Sequence, residues 1–281
     1  MRAPRRKPIT AIEPGLPLIP LKLAKNDAFS QLVEVVIPKR TRDQLVLSPH
    51  NIRTFISLME EFRGADLLRR HGLVIRSKLL FCGPPGCGKT VTAEVFAHEL
   101  GLPLIVARLD AIISSFLGET ATNIRKVFEI ASEQSCVLFL DEFDALARAR
   151  ADGSEHNELR RVVNSLLMLI DRFRGRGFLI AATNLEESLD TAIWRRFDEV
   201  VVFDLPSGRE IKTLCEIKLK NFPPLFSLAE KVAKLKGMSF ADVERVCDNA
   251  IKRSILKRSK VLLESEFDFA VREELRRKDI R

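Results

Sequence analysis

Gly83-Pro84-Pro85-Gly86-Cys87-Gly88-Lys89-Thr90 gathers the residue types that hold a chain of phosphates, in the spacing G-x-x-x-x-G-K-[ST]. Glycines reach backbone conformations closed to other residues, so successive N–H groups can converge on phosphate oxygens. Lys89 carries a compact positive charge at the end of the stretch, and the Thr90 hydroxyl is a hard donor for a divalent cation. A second feature follows 52 residues after Lys89, where the apolar run Val137-Leu138-Phe139-Leu140 ends in Asp141-Glu142. Phosphoryl transfer to water needs one carboxylate to help hold a metal ion and another to polarise the attacking water. Asp141 suits the first task and Glu142 the second.

Both features need elements to bring them together. Lys78–Cys82 reads as a buried strand entering the glycine stretch, and Ala93, Phe96, Ala97 and Leu100 fall on one helical face after it. Strand-like runs at Leu79–Cys82, Leu104–Val106, Val137–Leu140, Phe178–Ala181 and Val200–Phe203 alternate with helical patterns. Ile124, Val127, Phe128 and Ala131 make one such face; Leu159, Val162, Val163, Leu166, Leu167 and Ile170 make a longer one. This order predicts an α/β fold, a parallel sheet flanked by helices, with the acids and the glycine stretch side by side at the strands' carboxyl ends. After Leu205-Pro206-Ser207-Gly208 the pattern becomes all-helical; Ser239 and Asp242 form an expected capping box, and Val243, Val246, Cys247, Ala250 and Ile251 form the buried face behind it. Five prolines in the first 20 residues predict an extended arm. The expected division is an arm over 1–40, an α/β nucleotide-binding domain over 41–204 and a small helical lid over 205–281.

Taken together, these motifs resemble the AAA+ ATPases, P-loop NTPases, in the branch of protein unfoldases and remodelers. The resemblance runs from about Leu45 to Arg277 and rests on a series of segments in the family's order. Gly83–Thr90 and Leu138-Phe139-Leu140-Asp141-Glu142-Phe143-Asp144 are two of them. The resemblance implies ATP and Mg²⁺ as ligands, contacts to nucleotide from Gly83, Pro84, Pro85, Gly86, Cys87, Gly88, Lys89, Thr90 and Val91, and metal contacts from Thr90 and Asp141. Ala181-Ala182-Thr183-Asn184 is similar to the strand end that carries a polar sensor of the γ-phosphate, which puts Asn184 in the catalytic set with Glu142. Leu189 to Asp198 resembles the arginine-finger segment, so Arg195 and Arg196 are expected to reach the ATP of an adjacent subunit. The family commonly spaces these as Arg-x-x-Arg-Phe; here they are adjacent, and Arg196 before Phe197 is the primary assignment. Phe116-Leu117-Gly118 resembles the aromatic pore loop that grips an extended polypeptide, with 151–156 as a second pore-facing loop. Gly237 to Val243 resembles the start of a lid helix. Leu45–Leu47 and Leu73–Ile75 are expected to wall the adenine pocket. Asp171-Arg172-Phe173 is similar to an inter-subunit signalling turn, but Arg172 stands where that turn has glycine.

The implied activity is ATP hydrolysis by a homo-oligomeric ring, a hexamer, that remodels or unfolds a protein substrate through a central pore. His98-Glu99 does not continue into a zinc-protease motif, since position 102 is Leu, and no G-x-S-x-G appears. Any coupled proteolysis therefore belongs to a partner chain. Two alternatives stand beside the motor: a DNA-associated loader or transposition-type ATPase, and a nucleotide-gated assembly switch with little turnover. The net charge of +8 permits nucleic-acid contact, but much of the excess lies at the two termini, there is no Tyr, and Trp194 is the sole Trp. No run approaches the 18 apolar residues of a membrane span. Five scattered cysteines without a C-x-x-C pair read as reduced thiols, the pattern of a cytoplasmic protein. Cys87, where threonine is commoner, reads as a small spacer; the alternative is that the helix N-terminus lowers its thiol pKa, in which case alkylation would block nucleotide binding.

Overall fold

The computed structural model of the chain describes residues 33–109, 117–144, 156–184 and 191–279. Its centre is a six-stranded sheet built from β1 (Val33–Val36), β2 (Lys78–Cys82), β3 (Leu104–Arg108), β4 (Val137–Asp141), β5 (Phe178–Thr183) and β6 (Glu199–Val202), in the order β1-β3-β4-β5-β2-β6. All pairings are parallel except β1 with β3. The five strand-like runs of the sequence are thus the five parallel strands.

Their unbroken apolar runs have a simple cause, because both faces of the sheet are covered. Along β2, Leu79 and Phe81 turn to one core while Leu80 and Cys82 turn to the other. Phe139 and Ile180 share the first face, and Leu138, Leu140, Leu179 and Ala181 share the second. The first face is covered by α1 (Pro49–Arg63) and α3 (Lys89–Leu100) through Phe55, Leu58, Phe96 and Leu100. The second is covered by α4 (Leu117–Glu133) and α5 (His156–Arg172) through Ile124, Val127, Leu166 and Ile170. The short α2 (Ala65–Arg70) follows α1, and α6 (Thr191–Trp194) precedes β6.

A third core belongs to the helices after β6: α7 (Gly208–Lys218), α8 (Leu228–Leu235), α9 (Phe240–Leu256) and α10 (Glu264–Asp279). Ile211, Leu214, Val243, Val246, Cys247 and Phe267 meet there. Ser239 caps α9 by the expected box: its hydroxyl accepts from Asp242 N–H at 3.2 Å, and the Asp242 carboxylate accepts from Ser239 N–H at 2.9 Å.

One part of the arm is not an arm. Val33–Val36 adds an antiparallel edge strand to the sheet, with Val33 opposite Ala107 and Val36 opposite Leu104. The β-branched run Val-Glu-Val-Val covers the otherwise open edge of β3 and buries Val33, which outweighs the proline-rich composition before it.

Phe139 lies on a central strand with no exposure, so its side chain is surrounded on all sides. Phe139→Ala is expected to lower unfolding free energy by about 3–5 kcal/mol. Urea unfolding followed by circular dichroism measures this; an unchanged midpoint would contradict the described packing.

Candidate functional site

The strand order determines which loops meet. β2 lies beside β5, and β5 beside β4, so the carboxyl ends of these three strands form one ledge. Cys82 pairs with Thr183 in register, which sets Gly83 and Asn184 next to each other one residue further on. Asp141 closes β4 on the same ledge.

Gly83 has φ +139°, and a Cβ there would lie 2.0 Å from the Phe203 carbonyl oxygen. Only glycine lets the loop leave β2 this close to the end of β6. The loop carbonyls then turn inward on Lys89, whose Nζ donates to Gly83 O at 2.6 Å, Pro84 O at 3.1 Å and Asn184 Oδ1 at 2.7 Å. Lys89 is only 8% exposed, and its desolvation draws its pKa below the ordinary lysine value. An anion entering the loop would give this ammonium a charged partner in place of neutral carbonyls, a stronger class of hydrogen bond. Thr90 is exposed on the first turn of α3. The structure therefore joins Lys89 and Asn184 directly, which the sequence did not show.

Burial pushes the Asp141 carboxyl above the usual range, opposed by the Glu142 N–H that donates to its Oδ1 at 3.0 Å and by the nearby Lys89 charge. A buried carboxylate of this kind gains from a cation. Thr90 and Asp141 offer hydroxyl and carboxylate oxygens, the hard donors that suit Mg²⁺. Among the described residues no group of three or more His, Cys, Asp or Glu is gathered to hold an ion alone. A cation fits here only with phosphate and water completing its shell. Glu142 has φ +55°, a left-handed conformation unusual outside glycine, and Phe143 N–H then donates to Ala182 O at 2.8 Å. The chain thus turns sharply at Glu142, the residue the sequence suggests as the base.

Next to the loop lies a cavity of about 340 Å³ between α3, α7 and α9. Leu45, Val46, Val91, Leu214 and Ile217 supply its aliphatic walls. Leu47, the third residue of the expected Leu45–Leu47 wall, lines other cavities and not this one. Leu73 and Val74 are 55% and 83% exposed and lie outside this cavity lining.

Arg195 is exposed. Arg196 is drawn to α5, where its Nη1 pairs with Asp171 and donates to Leu167 O at 3.5 Å. Nothing in the spacing of the motifs reveals that partnership, because Asp171 and Arg196 are 25 residues apart on different elements. Phe116 lies outside the described residues, as do positions 151–155 of the second loop. Leu117 and Gly118 open α4.

Cys87 fits the small-spacer reading and not the activated-thiol alternative. Its thiol is 1% exposed, and burial raises its pKa above the ordinary value despite the charge of Lys89. Desolvation outweighs the helix N-terminus. Iodoacetamide at pH 7.5 is accordingly expected to alkylate Cys87 at least about tenfold more slowly than in urea-unfolded chain, which peptide mass spectrometry over time can follow. Equal rates would restore the activated thiol.

Residues 79–205 match the family described as ATPase family associated with various cellular activities (AAA). The chain is 57% identical over 262 residues to an uncharacterized AAA family ATPase of Sinorhizobium fredii, covering 93% of this chain and 78% of that relative. It is 32% identical over 223 residues to an ATP-dependent zinc metalloprotease FtsH of Halothermothrix orenii, covering 76% of this chain and 35% of that protein. It is also 34% identical over 200 residues to a putative 26S proteasome regulatory subunit homolog of Methanocaldococcus jannaschii, covering 69% and 54%. The chain thus spans about a third to a half of the length of these last two relatives. Likeness at 57% across nearly the whole chain extends well beyond a shared nucleotide fold, and this chain belongs to the AAA family of ATPases.

Proposed function

We propose that this ATPase is a ring-forming motor, hexameric like many of its family, that converts ATP hydrolysis into the remodeling or unfolding of a protein substrate. The observation that carries this reading is the placement of Arg195 and Arg196. One is exposed and the other is anchored on α5 rather than on its own phosphate loop. A cationic pair presented this way serves a site on another subunit, where it stabilises charge on the transferring phosphoryl group. Similarity to a proteasome regulatory homolog and to an ATP-dependent protease supports a protein substrate, with any protease activity supplied by a separate partner.

In this reading residues 41–204 form the motor's nucleotide domain and 205–281 its lid. The Pro84 to Gly88 loop and Val91 seat the nucleotide. Lys89 leaves its carbonyl partners for the β- and γ-phosphates, and Asn184, freed from it, positions the attacking water. Glu142 takes the proton of that water as its oxygen bonds to the γ-phosphorus, while the bond from that phosphorus to the β–γ bridging oxygen breaks and ADP leaves. Thr90 and Asp141 hold Mg²⁺, which when bound neutralises charge on the phosphate oxygens. Phe116 with Leu117 and Gly118 grips the substrate chain. We place the protein in the cytoplasm; no helix of the described residues is long and apolar enough to cross a membrane.

The specific ATPase rate should rise steeply between nanomolar and tens of micromolar protein and then plateau, because isolated subunits lack the arginines of a neighbour. Arg196→Ala should bind ATP with near-unchanged affinity while its plateau rate falls by about 10³-fold. A rate independent of concentration in the wild type, or an unaltered plateau in the variant, would sink the shared-site reading.

Asp171 acts through Arg196 and is a positioning residue. Asp171→Asn keeps the shape but removes the charge, and is expected to lower the plateau rate roughly tenfold with ATP affinity and ring formation intact. Calorimetry and sedimentation alongside the rate assay separate this from a folding defect; full activity would show that the ion pair is only structural.

A further inference from the structure

Two of the five cysteines that the sequence scatters meet in the core of the C-terminal helices. Cys215 lies on α7 and Cys247 on α9, 32 residues further along, and their sulfurs are 3.8 Å apart. Both thiols are free and buried. The contact belongs to a register between the two helices. One turn away, Lys218 of α7 pairs with Glu244 of α9, a step forward on one helix and back on the other, as antiparallel neighbours require.

The pair also differs in chemistry from the other buried thiols. Cys87 is held above the ordinary thiol range, and burial pushes Cys136 up to about 12. Cys215 moves the other way: the Cys247 S–H donates to its sulfur and draws its pKa below the ordinary value, against the effect of burial. The shared proton therefore rests on Cys247, and Cys215 carries the readier nucleophile. Bonding requires the sulfurs to close by about 1.8 Å, within the range of side-chain rotation and a small slide of one packed helix on another.

We propose that Cys215 and Cys247 are a reversible disulfide site, oxidised by a hydroperoxide, and that the bond slows ATP turnover by clamping α7 to α9. The Cys215 thiolate attacks a peroxide oxygen, the O–O bond breaks, and the departing hydroxide takes up the proton that Cys215 shed. Cys247 then attacks the resulting sulfenic sulfur; the S–S bond forms, the S–O bond breaks, and the hydroxide leaves as water with the Cys247 proton. Two thiols lose two electrons and two protons, and hydrogen peroxide becomes two waters. The clamp matters because the two helices reach the phosphate loop by separate routes. α7 follows β6, whose exit at Phe203 lies against Gly83, while Ala241 at the start of α9 donates to Gly86 O. Fixing α7 to α9 ties those routes together, which a lid that moves during turnover does not tolerate. This consequence rests on the lid role proposed above.

The test treats the full chain with hydrogen peroxide, blocks remaining thiols with iodoacetamide in urea, and digests it with trypsin. The expected product joins Thr213–Lys218 to Val246–Lys252 through one disulfide. Its yield should track a fall in ATP turnover of roughly fivefold or more, restored by dithiothreitol. Cys247→Ala should keep its turnover under the same treatment, and its Cys215 should trap dimedone as the sulfenic acid. Cys215→Ala should keep its turnover too, and carries the test if Cys247→Ala folds poorly. Equal loss of turnover in both variants would place the oxidation elsewhere, at Cys87 of the phosphate loop, and overturn the proposal. So would the absence of this disulfide, a pairing through other cysteines, or a full yield with turnover unchanged. No turnover in the untreated chain would remove the motor reading instead, and the disulfide yield would still decide the thiol chemistry.

Discussion

The buried ammonium of Lys89 constrains more of this molecule than any other group. A charge taken out of water is costly unless its hydrogens find acceptors, and the three it finds come from separate parts of the chain. Gly83 and Pro84 supply carbonyls from the loop after β2, and Asn184 supplies its side chain from the end of β5. The carbonyls point inward only because Gly83 passes within contact of Phe203, where Phe203 N–H also donates to Cys82 O at 2.7 Å. The register of β2 with β5, the exit of β6 and the shape of the loop are thus solved together. Each is needed to satisfy one cation.

The C-terminal helices are joined to this arrangement at Gly86 and are tied to one another by ion pairs. Asp242, in the first turn of α9, is drawn below the usual carboxylate range by the Ser239 and Lys278 hydrogen bonds, against the cost of its burial. Lys278 lies 3.2 Å from it at the far end of α10. Arg245 bridges Asp242 to Glu274 of α10, with the second contact at 2.7 Å. The start of α9 therefore cannot tilt without carrying α10. Ala241 N–H donates to Gly86 O at 3.1 Å, so the start of α9 and the phosphate loop are joined directly.

The parts of this fold legible in the sequence were those whose cause is local. Apolar runs without alternation gave the parallel strands, since covering on both faces leaves no polar positions; the Ser239–Asp242 spacing gave the helix start, since a capping box is complete within four residues. The nucleotide loop was legible because its glycines, lysine and threonine are contiguous. What stayed hidden depends on partners far away in sequence. Val33–Val36 has ordinary β-forming residues, but only the open edge of β3 decides that they pair. Cys87 has a helix N-terminus in its favour, and only tertiary burial reverses the outcome. The family resemblance puts Leu73 and Val74 in a pocket wall, yet the chain leaves them in solvent.

Arg196 shows the same limit at the site itself. Its Nη1 is held by Asp171 and Leu167, yet its Nε is buried with no hydrogen-bond partner among the described residues. An unmet buried donor is a cost on the order of 1–3 kcal/mol, and it is borne by a planar, always-charged group whose five donors suit bidentate oxygen partners. The present pairing is therefore not the one that satisfies this guanidinium best. An anion offered from a neighbouring subunit would meet the donor left over and compete with Asp171 for the rest. In the shared-site reading proposed above, the ion pair holds the arginine on α5, and its strength sets how easily the arginine is given up to a phosphate.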